Sequence, residues 1–132
     1  MAQKSSGVSS KGSKQLGEIY LNTKITNIET NKSITLNLLV DTGATMTVVS
    51  KDKLKAIGIK PIDRIELTLA DGRTVVRDVG VAKFTIKGRT AFGGVVFGEE
   101  NDDNVLGVTI LETMGWALDS KTGKLRRKRI RF

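Results

Sequence analysis

The chain has 132 residues, 39% apolar and 27% charged, which fits one globular domain and is too short for two comfortable ones. It contains no cysteine and no histidine. Disulfide frameworks, thiolate metal sites and catalysis built on imidazole or thiol are thereby excluded, and any metal would need oxygen ligands alone. No apolar run approaches the roughly 20 residues of a bilayer-spanning helix, and residues 1–15 lack the apolar stretch of a signal peptide. A soluble cytoplasmic protein is the expectation.

The formal net charge of +8 is unevenly placed. Residues 1–14 carry three lysines and no acid, and residues 121–132 carry seven bases (Lys121, Lys124, Arg126, Arg127, Lys128, Arg129, Arg131) and no acid. The remaining 12 bases face all 14 acids, so residues 15–120 have a net charge of −2. The excess therefore belongs to the ends, where a basic segment is usually solvated and only sometimes an anion-binding arm. The tail has one aromatic, Phe132, and no interleaved stacking platform, so nucleic-acid recognition is not expected.

Residues 1–15 are rich in Ser, Gly and Lys and read as a flexible leader. A folded domain is expected over residues 16–120, followed by a basic tail at 121–132 that contributes to a final strand. Ile19, Leu21, Ile25 and Ile28 suggest a first strand region, and residues 33–38 alternate polar and apolar like a half-buried strand. Asn31-Lys32 suits the turn between them. Residues 50–57 resemble a short helix with Ser50 as N-cap, Leu54 and Ile57 on one face and Gly58 as the left-handed stop. Strands follow at 65–69 and 74–76, joined by Ala70-Asp71-Gly72-Arg73, a strong hairpin signal. Two more are expected at 79–86 and 91–97, turning at Lys87-Gly88. Residues 99–104 form an acidic loop. A second short helix covers 109–114 and ends at Gly115, and residues 116–118 pair with 124–126 as a last hairpin. The fold class is mostly β with one or two short helices.

The chemistry is concentrated in Leu38-Leu39-Val40-Asp41-Thr42-Gly43-Ala44-Thr45. An apolar strand here delivers a carboxylate onto a tight turn, and Gly43 lets the backbone pass beneath it without a side chain in the way. The same tripeptide alone also suits a carboxylate-capped turn. Its context is more particular: Val48 and Val49 continue the motif, and Val105-Leu106-Gly107, followed by Ile110-Leu111, lies about sixty residues downstream.

Together these residues resemble the retropepsins, the single-domain aspartic proteases of retroviral type, and their cellular relatives. The likeness in order and spacing runs over residues 18–118. It implies a closed β-barrel-like acid-protease fold acting as a homodimer, with no cofactor and no metal. Aspartic proteolysis needs two carboxylates sharing one proton around an attacking water. One chain has a single such motif, since Asp71-Gly72 and Asp119-Ser120 lack its apolar approach. The resemblance thus implies that Asp41 of each of two subunits forms the catalytic pair, with a peptide or protein as substrate.

By the same resemblance, Thr42 and Gly43 support the pair, Thr42 by hydrogen bonding across the dimer axis. Ala44, Thr45 and Met46 meet the extended substrate, and Ala70, Asp71, Gly72 and Arg73 form the tip of a flap that closes over it. Three departures stand out. The flap tip is more polar than in viral relatives. Thr45-Met46-Thr47 stands where many of them carry acids. Gly107-Val108-Thr109 lacks the arginine that braces their dimers. In the family the termini interleave to hold the dimer, whereas Arg126-Arg127-Lys128-Arg129 of two subunits would repel one another. Trp116 is expected in the core beneath the site.

The alternative reading is a catalytically inactive retropepsin-like dimerisation or peptide-binding module. The intact Asp41-Thr42-Gly43 argues against it, because a binding module has no need of a like-charge pair.

Overall fold

The computed structural model describes residues 18–69, 71–119 and 121–128. The leader, Ala70, Ser120 and residues 129–132 of the tail lie outside the described residues. Strand β1 (Tyr20–Thr26) turns into β2 (Ser33–Asp41), and the two pair antiparallel from Tyr20↔Leu39 to Thr26↔Ser33. The turn has Asn31 at φ 67°, a left-handed conformation that asparagine tolerates. The buried Asn27 side chain accepts from the Glu29 amide at 2.9 Å and donates to the Ile57 carbonyl at 2.9 Å, tying the turn to the end of the first helix.

After β2 come β3 (Thr47–Ser50), α1 (Lys51–Ala56), β4 (Asp63–Thr68), β5 (Thr74–Ile86), β6 (Arg89–Gly98), β7 (Val105–Gly107) and α2 (Val108–Thr113). A separate hairpin, β8 (Trp116–Asp119) with β9 (Lys124–Arg127), ends the described chain, in the register Leu118↔Leu125. The main sheet runs β1-β2-β7-β3-β6-β5, and a β1–β5 ladder at Ile25↔Phe84 closes it into a six-stranded barrel with β4 paired outside on β5. Closure joins the two ends of the sheet and encloses an apolar core. Ile25, Val49, Leu54, Phe84, Val95 and Leu106 are each fully buried there, contributed by both halves of the barrel and by α1.

The predicted mostly β class stands, and several local expectations change. The first strand stops at Thr26, and Ile28 projects from the turn at 51% exposure. Residues 47–50 form a strand where none was expected. Four residues are too short to show a period, and β3 exists because it pairs in parallel with β6 (Thr47↔Val95 to Ser50↔Gly98) and antiparallel with β7 (Val48↔Val105). Ser50 accordingly ends a strand and makes no side-chain cap. Its amide donates to Asn104 Oδ1 at 2.7 Å, and α1 begins at Lys51.

The strands expected at 74–76 and 79–86 are one 13-residue strand. Arg77-Asp78 interrupts the apolar pattern, but backbone pairing to β4 carries the strand through it (Asp63↔Val79 to Thr68↔Thr74). Lys87 and Gly88 turn at φ 49° and 80°, a double left-handed hairpin turn for which Gly88 is the suited type and which Lys87 adopts without that advantage. Helix α2 starts one residue early, at Val108. Trp116 is half-buried at the core's edge, its indole N–H donating to the Ile86 carbonyl at 3.2 Å and its ring lying under the Arg89 guanidinium at 5.4 Å.

Candidate active site

Leu38 and Val40 point into the core at 2% and 6% exposure, which anchors β2 and leaves the following Asp41 at its exposed end. Parallel pairing with β7 aligns Val40↔Leu106 and Asp41↔Gly107, so the two sequence motifs meet side by side. The Gly43 amide donates to Asp41 Oδ1 at 2.9 Å, and the Ala44 amide donates to the Asp41 carbonyl at 3.0 Å. The turn therefore fixes the carboxylate's direction with its own backbone.

The chain after this turn is laid directly on Gly107. A Cβ there would lie 2.7 Å from the Met46 carbonyl carbon and 2.8 Å from the Thr45 oxygen. The Gly107 amide donates to the buried Thr47 hydroxyl at 3.0 Å, and the Val108 amide donates to the Ala44 carbonyl at 3.1 Å. Val105-Leu106-Gly107 is thus the seat of the Asp41 loop: two buried apolar residues to hold the strand, then a residue without a side chain to admit the loop's backbone.

Asp41, Gly43, Ala44, Thr45 and Met46 line one cleft of about 1060 Å³. Its far wall is the hairpin of β4 and β5, closed by a Leu69 amide donating to the Arg73 carbonyl at 2.8 Å, and it brings Asp71 and Arg73 to the cleft. Gly72 sits at the hairpin tip with φ 89° and open space around it, outside the lining. Ala70 lies outside the described residues. Thr42 does not face the cleft. It lines a second cavity of about 620 Å³ with Val108, Leu111, Trp116 and Lys128, on the other side of the turn.

Three residues that the motif does not mark also shape the site. Thr47 is 2% exposed and accepts the Gly107 amide; its only sequence signal is a polar residue in phase with the buried Val49. Arg77 and Asp102 join the hairpin to the acidic 99–104 loop through Nε–Oδ2 at 2.6 Å and Nη2–Oδ1 at 3.0 Å, with side chains only 16% and 18% exposed. The Arg77 hydrogen bonds hold the Asp102 carboxyl below the usual carboxylate range against its partial burial, and the Glu99 amide, donating at 2.7 Å, adds to the effect. Asp71 is likewise lowered by the Arg73 amide and guanidinium, and Glu99 by Lys51, both at the exposed surface. Among the described residues no group of carboxylates is placed to hold a metal ion.

Residues 26–113 match the family model described as "gag-polyprotein putative aspartyl protease". The chain belongs to that family. Among solved structures, the retropepsin-like chain is similar to the solution structure of the simian foamy virus (mac) protease. The two are 22% identical with a TM-score of 0.50, over 70% of this chain and 91% of the viral one. That likeness establishes the fold: a retropepsin-like barrel with few short helices. No curated protein matches the chain. The family match spans Asp41, the β4–β5 hairpin and the 99–105 segment, which line the cleft, and Gly107 behind the Asp41 loop. No helix among the described residues is long and apolar enough to cross a membrane.

Proposed function

We propose that the retropepsin-like chain is an aspartic endopeptidase that works as a homodimer, with Asp41 of each subunit forming the catalytic pair. The observation that carries this reading is the seating of Asp41. Its carboxylate stands exposed at the edge of a cleft about 1060 Å³ in volume, directed by the Gly43 amide and held from behind by Gly107. A carboxylate held by the amide of its own turn and open to a cleft on one side lacks only the second carboxylate that the reaction requires.

In the dimer the two Asp41 side chains hold a single proton, because close like charges do not both ionise cheaply. The ionised member takes a proton from the water between them, and the water oxygen attacks the peptide carbonyl carbon. The protonated member gives its proton to the carbonyl oxygen. Collapse of the tetrahedral adduct returns a proton to the leaving amine and breaks the C–N bond, releasing a carboxyl and an amino terminus. Thr42 faces away from the cleft, beside α2 and the β8–β9 hairpin, which suits a contact across the dimer axis. The β4–β5 hairpin carrying Asp71 and Arg73 is the flap, and the substrate lies extended between it and residues 43–46.

The test is cleavage of an unfolded protein or peptide library from about pH 3 to 8, with Asp41→Asn beside the wild type and sedimentation on both. Activity on the acid side that disappears in Asp41→Asn, from a protein that sediments as a dimer, is the expected result. Retained cleavage by a pure Asp41→Asn preparation refutes the assignment, and a monomer that cleaves refutes the shared pair. A folded dimer that cleaves nothing favours the inactive peptide-binding module.

A further inference from the structure

The Met46 side chain lines the cleft, yet its end lies on the outer face of the barrel, over Gly94 of β6. A Cβ at Gly94 would stand 3.0 Å from Met46 Cε, and nothing else but the Gly80 carbonyl comes within 4 Å of it. Ordinary carbon contacts lie at about 3.5–4.0 Å. The missing side chain at position 94 is therefore the space that the methionine's terminal methyl uses. Gly94 pairs with Val81 across the β5–β6 ladder, where φ is not left-handed, so neither its backbone nor its turn chemistry calls for glycine. The neighbouring Val96, two residues along the same face, lines the cleft with Met46, so the seat adjoins the cleft's apolar wall.

We infer that Gly94 is a positioning residue for substrate selection. By giving Met46 a place on the sheet, it keeps the thioether back from the cleft and leaves room there for a large apolar side chain of an extended peptide. This rests on the reading of the cleft as a peptide-binding site. Methionine suits the role because three rotatable bonds let it lie down or stand up at little cost in strain. An alanine Cβ at 94, 3.0 Å from the end of a flexible side chain, displaces it by only a few tenths of an ångström, whereas valine at 94 fills the seat. Met46 then turns into the cleft, and the wall accepts small side chains in preference to large ones.

The experiment uses the full chain with 13C-methyl-labelled methionine, as wild type, Gly94→Val, Met46→Ala and the double variant. Of the three methionines, Met114 is 4% exposed in the core and serves as the internal reference. Gly94→Val is expected to move the Met46 methyl resonance and leave that of Met114 in place. For peptides matched except for one large or small apolar side chain, it is expected to raise KM for the large one by about tenfold, with kcat changing little. In the Met46→Ala background the same substitution is expected to have no effect on that ratio. An unmoved Met46 resonance, or an equal change of the large-to-small ratio in both backgrounds, overturns the inference. Should the wild type cleave nothing, the reading as a protease fails separately. The ratio of dissociation constants for the same two peptides, followed at the Met46 methyl, then supports or overturns the seat in the same way.

Discussion

Replacing Gly107 by alanine isolates the contact on which the Asp41 loop depends. Gly107 lies at φ −75° and ψ 148°, an extended conformation open to any residue, so the substitution introduces no backbone strain. What it introduces is one methyl group 2.7 Å from the Met46 carbonyl carbon, 2.8 Å from the Thr45 oxygen and 2.9 Å from the Met46 oxygen. These atoms are backbone and have no rotamer in which to retreat, and the nearest falls short of ordinary contact by roughly 0.8 Å. Relieving the overlap moves residues 45–46 away from β7, which stretches the Gly107–Thr47 and Val108–Ala44 hydrogen bonds at 3.0 and 3.1 Å. Overpacking of this kind costs about 1–3 kcal/mol, and weakening two hydrogen bonds adds about 1 kcal/mol each. The expected loss is about 3–5 kcal/mol, a Tm lower by at least about 9 °C for a chain of this size. Cleavage should fall more steeply than stability, because the displaced segment carries the cleft side of Asp41. Gly93→Ala is the matched control: its Cβ would lie 2.8 Å from Ile110 Cδ1, the end of a side chain that can rotate, with nothing else closer than 3.8 Å. It should change stability by less than about 1 kcal/mol, since alanine also suits a strand better than glycine. Both are read by thermal and urea unfolding at one fixed protein concentration, so that any self-association weighs equally on every variant. Equal stability of Gly107→Ala and the wild type, or equal losses from the two substitutions, would refute the reasoning.

Thr47→Val removes the acceptor of the Gly107 amide at a position 2% exposed and should destabilise by about 1–3 kcal/mol in urea titration, with a larger drop in turnover than in substrate affinity. Asp102→Asn leaves Arg77 without its partner and should lower stability at neutral pH by about 1–3 kcal/mol. Because the Asp102 carboxyl is lowered in the folded state, the pair's contribution is full above the ordinary carboxylate range and fades as pH falls through the depressed folded value. The gap between wild type and Asp102→Asn should accordingly close on acidification, and a gap that widens in acid would contradict it. Arg73→Ala breaks the exposed pair with Asp71 at 2.7 Å and should leave the unfolding midpoint unmoved while altering KM, since such surface pairs contribute little to folding.

Much of the site was legible from local chemistry. An apolar strand ending in Asp41-Thr42-Gly43 is visible because burial of Leu38 and Val40 and a turn at a residue without a side chain both leave marks at fixed spacing. The hairpins at Asn31, at Gly72 and at Gly88 were legible for the same reason: left-handed backbone selects few residue types. Thr47, Arg77, Asp102 and Gly94 gave no comparable signal. Their roles come from partners far along the chain: sixty residues for Thr47 and Gly107, and 25 for Arg77 and Asp102. Strand β3 likewise takes its structure from β6 and β7 on either side of it, and β5 runs through Arg77-Asp78 because backbone pairing with β4 outweighs the break in the apolar pattern. By itself, then, the sequence determined where most of the extended segments lie, which turns close and which carboxylate stands at a strand's end, all of them consequences of side-chain period and backbone preference. Only the tertiary structure decided that Gly107 lies beneath residues 45–46, that Met46 rests on Gly94 and that Arg77 reaches Asp102, because close approach between distant segments is a property of packing and has no local pattern to mark it.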